Sequence, residues 1–283
     1  MFRVNFDTLY SFAILDLRDE NQTVTLVLPD CLDGEKRYQS ALVISEEHWI
    51  PLIEEQPGTC SLTKESVGTP WCMIIMRTQV NMNDPNDLAK AHAMQTGLEL
   101  NCSVASNDTY SPSHKWNMEE ILSMRAYYEK LVNQRDEITA ENMFGPKGCW
   151  TLLNHNCGTA FGWGGFPKEQ AVYPQIPVDD DSGNGRFKVT LSDVPVDAFW
   201  SVTVYDDKGY VSSKDGDIYN INSAFALAND DHNYVIHFGN DFDEDAPNVM
   251  NIMKGWNITL RLYQPKSEFF DGTWKLPQLI KVE

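Results

Sequence analysis

Phe199-Trp200-Ser201-Val202-Thr203-Val204-Tyr205-Asp206 decides the fold of the C-terminal half. Its β-branched and aromatic side chains suit a pleated, half-buried surface, and Asp207-Lys208-Gly209 closes it with turn chemistry. Working outward, Arg186 to Leu191, Ile218 to Asn222, Tyr234 to Phe238 and Asn257 to Tyr263 are runs of the same kind. Turn segments separate them: Asp181-Ser182-Gly183-Asn184-Gly185, Asn229-Asp230-Asp231 and Lys254-Gly255. Short strands at this spacing point to an antiparallel β-sandwich of jelly-roll-like arrangement over residues 145–283.

Toward the N-terminus the pattern changes at Asn154-His155-Asn156-Cys157-Gly158-Thr159-Ala160-Phe161-Gly162-Trp163-Gly164-Gly165-Phe166-Pro167. Its glycines permit positive φ and close approach, and its aromatics supply area to bury, so it reads as a packed junction or the wall of a site. Before it, Asn117 with Glu120 marks a helix start, and Met118, Ile121, Leu122, Tyr128, Leu131 and Val132 recur at helical spacing. Residues 106–144 form a helical connector on this basis. Asp84-Pro85-Asn86-Asp87 starts another helix, running to about Gly97, with Leu88, Ala91, Gln95 and Leu98 on its inner stripe.

Residues 1–105 read as a β-rich domain holding that one helix. Asp7 to Leu17 is apolar on both alternating faces and is expected as a central strand covered on both sides. Thr23 to Leu28 and Arg37 to Ile44 follow it, the three forming a meander. The fold class is therefore mainly β: two β-rich domains joined by helices.

Lys and Arg number 22 against 41 Asp and Glu, a net charge of −19. That sign repels phosphate backbones and anionic bilayers, which argues against nucleic acid or a membrane as partner. No apolar run reaches membrane-span length and no signal-like segment opens the chain, so a cytoplasmic location is expected. The six cysteines form no CxxC pair and are expected as free thiols. His48, His155, His232 and His237 lack any ligand spacing, so no metal is assigned. Without GxSxG, a P-loop or a GxGxxG placed between strand and helix, no organic cofactor is assigned either.

Asn5-Phe6-Asp7-Thr8-Leu9-Tyr10-Ser11, Leu15-Asp16-Leu17, Arg37-Tyr38, Arg77-Thr78, Asp87-Leu88 and Gln95 together resemble the domain-of-unknown-function family numbered twelve fifty-four. Gly158-Thr159-Ala160, Gly162-Trp163-Gly164-Gly165, Phe199 to Asp206, His237-Phe238-Gly239, Gly255-Trp256-Asn257 and Arg261-Leu262-Tyr263 resemble its usual partner, the family numbered twelve fourteen. The resemblance implies two β-rich domains with helices between them and supplies no mechanism.

Asp7 at the head of a core strand needs a partner, and the Arg77 guanidinium can bind a carboxylate bidentately. The pair is either purely structural or part of a polar pocket with Asn5 and Gln95. His155 and Cys157, two apart, share a face if the segment is extended, although no acid is placed to orient the imidazole. The functional expectation is a small-molecule enzyme with Asp7, Arg77 and His155 as catalytic candidates. Asn5, Tyr10, Gln95 and Trp163 are its ligand-binding candidates, near an interface between the two domains. The alternative is a non-catalytic ligand-binding or structural β-sandwich protein, homo-oligomeric through its aromatic faces.

Overall fold

The computed structural model describes residues 3–31, 36–105, 108–111, 115–243 and 245–282. Strands hold 31% of the described residues and helices 18%, so the chain is mainly β, in several antiparallel sheets, with no closed barrel among the described residues. Two compact units form: one from residues 9–79 and 89–168, the other from residues 3–8, 80–88 and 169–282. Residues 145–168 group with the first unit and residues 3–8 with the second, a different grouping from the 1–105, 106–144 and 145–283 read along the chain.

The first unit holds β1 (Thr8–Asp16), β2 (Val24–Leu28), β3 (Gln39–Ser45), β4 (Leu52–Glu54), β5 (Gly58–Leu62), β6 (Trp71–Gln79) and β7 (Glu99–Cys102). Its helices are α1 (Lys64–Val67), α2 (Pro85–Gln95), α3 (Met118–Val132) and α4 (Leu152–Gly162), α2 starting in residues of the other unit. The sheet orders are β1-β6-β3-β4 and β5-β2-β7. The expected meander is thereby corrected, because β6 stands between β1 and β3 while β2 lies in the other sheet. Nor is β1 central: it ends its sheet order, with Phe12 59% and Ile14 55% exposed. Its outward apolar residues imitate a doubly covered strand in sequence.

Ala41 and Val43 of β3 and Cys72, Ile74 and Met76 of β6 share one core with Val24, Leu26 and Leu28 of β2. Ser40 stands opposite Arg77 in the β3/β6 ladder, so the alternation that buries Ala41 and Met76 sends Ser40, Leu42, Ile75 and Arg77 to the opposite face.

Local chemistry sets the helix starts. Asp84 Oδ1 accepts from the Asn86 amide at 2.9 Å before α2, and Asn117 Oδ1 accepts from Glu119 at 3.1 Å before α3. The glycine-rich stretch holds a helix the sequence reading did not anticipate. Thr151 caps α4 by accepting from the Asn154 amide at 3.2 Å. Helical spacing separates His155 and Cys157 by about 200°, so they do not share a face. A Cβ on Gly158 would stand 2.7 Å from Met143 Cβ, so the missing side chain here serves close packing rather than a turn.

The second unit holds β8 (Ala171–Val172), β9 (Gln175–Ile176), β10 (Arg186–Leu191), β11 (Val196–Tyr205), β12 (Asn220–Asn222), β13 (Tyr234–Phe238), β14 (Val249–Met250), β15 (Asn257–Pro265), α5 (Ser267–Phe270) and β16 (Ile280–Val282). One sheet has the order β14-β13-β10-β16; the other is β12-β11-β15-β8, with β9 also on β15. Trp200, Val202, Val204, Ile258, Leu260 and Leu262 meet Phe187, Val189, Leu191, Ile236 and Phe238 in one apolar core, so the two sheets form a sandwich. Burying each such side chain contributes on the order of 1.5–3 kcal/mol.

Candidate functional site

Strand alternation that builds the sandwich core also builds its polar counterpart. Between the core residues, β11 presents Ser201, Thr203 and Tyr205 and β15 presents Thr259, Arg261 and Tyr263, with Ser201 opposite Arg261 and Thr203 opposite Thr259. All six are buried, as are Asn220 and Asn222 of β12 and the whole of Asp7. A buried polar face of this size requires nearly complete hydrogen bonding.

Asp7 is where that bonding concentrates. Its Oδ2 accepts from Ser201 Oγ at 2.7 Å and Tyr263 OH at 2.8 Å; its Oδ1 accepts from Asn220 Nδ2 at 2.8 Å. Asn5 brackets the turn, its Oδ1 accepting from the Asp7 amide at 2.7 Å and its Nδ2 donating to Tyr263 OH at 2.8 Å. Asn220 Nδ2 also donates to Thr203 Oγ1 at 2.9 Å, and the same oxygen accepts from Arg261 Nη1 at 2.7 Å. Arg261 Nη2 donates to Tyr205 OH at 2.5 Å, which donates to the Val4 carbonyl at 2.5 Å. Burial works against the Arg261 charge, but Tyr205, Asp7 and Tyr263 outweigh it and hold the guanidinium above its ordinary value. Burial likewise raises the Tyr205 phenol, with Arg261 opposing.

Asn220 is also where this network reaches a cavity. A cleft of about 520 Å³ lies in the same unit, lined by Asn220 and six further asparagines, with Phe225 and Phe242 among its apolar walls. Asp243 is the only ionisable residue among the described lining residues. Asn240, Asn248 and Asn251 are engaged in holding loops, as when Asn248 Nδ2 donates to the Leu227 carbonyl at 2.7 Å. Three amide groups keep unspent capacity. Asn220 has committed both Nδ2 protons and retains Oδ1; Asn83 donates through Nδ2 to the Asn220 carbonyl at 3.3 Å and retains its own Oδ1; Asn81 accepts from the Asn83 amide at 3.0 Å and retains Nδ2. The wall thus offers both a donor and acceptors and carries no cation.

In the first unit, His48 holds the end of α4. His48 Nε2 accepts from the Gly164 amide at 2.9 Å, so its proton is on Nδ1, 2.9 Å from Thr159 Oγ1, which donates to the His155 carbonyl at 3.0 Å. Burial, with a smaller contribution from His155, pushes His48 down to about 4. His155 Nε2 lies 2.8 Å from the Glu47 carbonyl, which can only accept, and its ring stacks on Trp49 with centroids 3.6 Å apart. Burial lowers His155 as well, against that carbonyl's opposing influence.

The sequence-derived candidates therefore separate into groups. Asn5 and Asp7 come together in the sandwich unit. Tyr10 and Arg77 come together in the other, with Arg77 5.3 Å above the Tyr10 ring, 4.0 Å above Phe166 and donating through Nη2 to the Gly164 carbonyl at 3.1 Å. The expected Asp7–Arg77 pairing is corrected, because both Asp7 oxygens are taken by neutral donors and Arg77 is held within its own unit. Gln95 Nε2 donates to Ser11 Oγ of β1 at 3.0 Å, and Trp163 sits 5.5 Å from His48 with 53% of its surface exposed. Ser201, Thr203, Asn220 and Arg261 were missed by the sequence reading. The available signal was Arg261 in mid-strand, at a position alternating with core residues.

Among the described residues, no group of three or more His, Cys, Asp or Glu could hold a metal ion, and no helix is long and apolar enough to cross a membrane.

Residues 170–267 match the model of a family described as protein of unknown function (DUF1214). No curated protein matches the chain. Among solved structures, the chain is similar to the VPA0106 protein from Vibrio parahaemolyticus, with TM-score 0.78 and 16% identity over 99% of this chain and 90% of that one. It is also similar to an uncharacterized protein from Burkholderia cenocepacia, with TM-score 0.54 and 10% identity over 100% of this chain and 77% of that one. At these identities the likeness shows the fold alone.

Proposed function

We propose that the protein is a non-catalytic binder of a small, neutral, hydroxyl-rich molecule, held in the asparagine-lined cleft of the sandwich unit. The observation that carries this is the unspent amide set at Asn81, Asn83 and Asn220 in a cleft that Phe225 also lines, with no cation among its described lining residues. A hydroxyl both donates and accepts, so it suits a wall of mixed amide atoms, and the C–H face of a polyol or sugar ring suits an aromatic surface. Asn220 is held in place by Asp7 and Thr203, which orients its carbonyl oxygen before any ligand arrives.

The acid–base candidates favour binding over catalysis. Asp7 is fully buried with three donors on its carboxylate, and His155 is committed to Glu47 and Trp49. The N-terminal half is taken, on Asn5 to Ser11, Arg77-Thr78 and Asp87-Leu88, as a member of the family numbered twelve fifty-four. In this proposal the sandwich connectivity is jelly-roll-like, the ligand is a free small molecule, and nucleic acid and membranes are not partners.

Calorimetric titration with glucose and mannitol, against gluconate and glucosamine as charged counterparts, tests the proposal. Saturable binding of a neutral probe is expected, weakened about tenfold or more by Asn83→Ala and by Phe225→Ala. Binding of gluconate or glucosamine as tight as the neutral probe, or no binding of either neutral probe, would overturn it. So would neutral-probe binding untouched by both substitutions.

A further inference from the structure

Arg77 is a buried charge without a counter-charge. It is 6% exposed, it donates one bond to the neutral Gly164 carbonyl, and no carboxylate of the described residues forms an ion pair with it. Its Nη1 has no hydrogen-bond partner. Guanidinium groups taken out of water are ordinarily paired, because an unpaired one forfeits its hydration with little return. The Phe166 and Tyr10 ring faces compensate only in part, each at the modest strength of a cation–π contact.

A second orphan donor stands beside it. Gln79, 4% exposed, spends Oε1 accepting from the Tyr38 amide at 3.1 Å, and its Nε2 has no partner. Arg77 and Gln79 are two apart on β6, hence on the same face of the sheet and about 7 Å apart along the strand. Tyr38 completes the surroundings. It donates to Glu55 Oε1 at 2.9 Å, and burial together with Glu55 holds the phenol above its ordinary range. Two unfulfilled donors, one of them cationic and lying against ring faces, match the two oxygens of a carboxylate.

We infer that Arg77 and Gln79 form a binding site for the carboxylate of a small organic acid, separate from the asparagine-lined cleft. Arg77 Nη1 supplies the charged bond, Gln79 Nε2 the neutral one, and the apolar remainder of the acid lies against Phe166 or Tyr10.

Calorimetric titration of the full chain with acetate, succinate and benzoate, alongside acetamide and inorganic phosphate, tests the inference. Saturable binding of at least one carboxylate is expected, with none for acetamide. Arg77→Met should weaken it about a hundredfold. Gln79→Glu preserves the acceptor for the Tyr38 amide and places a carboxylate beside Arg77. It should abolish binding of the added acid and raise the thermal unfolding midpoint, the protein then carrying its own counter-ion. Failure of all three acids to bind, phosphate binding as tightly as any of them, or carboxylate binding unchanged in Gln79→Glu would overturn the assignment.

Discussion

Asn220 Nδ2 donates to Asp7 Oδ1 at 2.8 Å across 213 residues of sequence. The bond joins the N-terminal segment to β12, and through Thr203 it continues to Arg261. Neutral donors thus satisfy a buried carboxylate, and its charge is balanced by a guanidinium two residues removed along this path, Asn220 and Thr203 standing between, rather than by direct contact. Asp7→Asn replaces one acceptor oxygen by an NH2 group that faces groups already donating. Stability should fall by about 3 kcal/mol, read from urea unfolding at neutral pH. An unfolding midpoint equal to the parent's would show that this network does not hold the segment.

His48 sets a pH dependence. Its folded value of about 4 lies below the ordinary 6.5, so across that window the unfolded chain binds a proton that the folded chain refuses. Stability is therefore fully present above about pH 6.5 and is lost as pH falls toward 4, by about 3 kcal/mol for this group alone. Two-dimensional NMR of the imidazole should find His48 neutral, with its proton on Nδ1, at pH 5.5. A His48 midpoint near 6.5 would contradict its bonds to Gly164 and Thr159.

In an exposed helix interior, replacing glycine by alanine stabilises by up to about 1 kcal/mol. At Gly158 the sign should reverse. A Cβ there would meet Met143 Cβ at 2.7 Å and the Met143 carbonyl oxygen at 3.0 Å. Gly158→Ala should cost about 1–3 kcal/mol in chemical denaturation. A stabilised variant would mean that α4 and the Met143 segment do not approach as closely as described.

Thiol reactivity should divide by burial. Cys102 and Cys149 are exposed, whereas burial pushes Cys72 up to about 12 and raises Cys157. With a disulfide reagent at pH 8, Cys102 and Cys149 should react quickly in the native protein. Cys72 and Cys157 should stay silent until denaturant is added. Fast native labelling of Cys157 would contradict its burial in α4.

Much of the secondary structure was legible because its signals are local. Asp84 and Asn117 start their helices by side-chain bonds within two residues, and Tyr234 to Phe238 is a strand with the bounds its composition indicates. Where a local signal pointed elsewhere, the reading failed. The glycines of Asn154 to Pro167 weaken helix propensity, yet Thr151 caps a helix there and the tight approach of Met143 makes Gly158 the residue that fits. Apolar Phe12 and Ile14 suggested a central strand, but whether a face is covered depends on elements distant in the chain.

Residue types and their order determined that this protein is mainly β, where most strands and two of its longer helices fall, and that its charge is strongly negative. Tertiary structure alone decided which strands are neighbours, that the polar face of β11 and β15 is buried, and that Asp7 is served by Ser201, Asn220 and Tyr263 while Arg77 lies against Phe166 and Gly164. The physical reason is one of range. A cap or a turn is settled within four residues, whereas the partner of a buried charge is chosen by the packing that removes water from it.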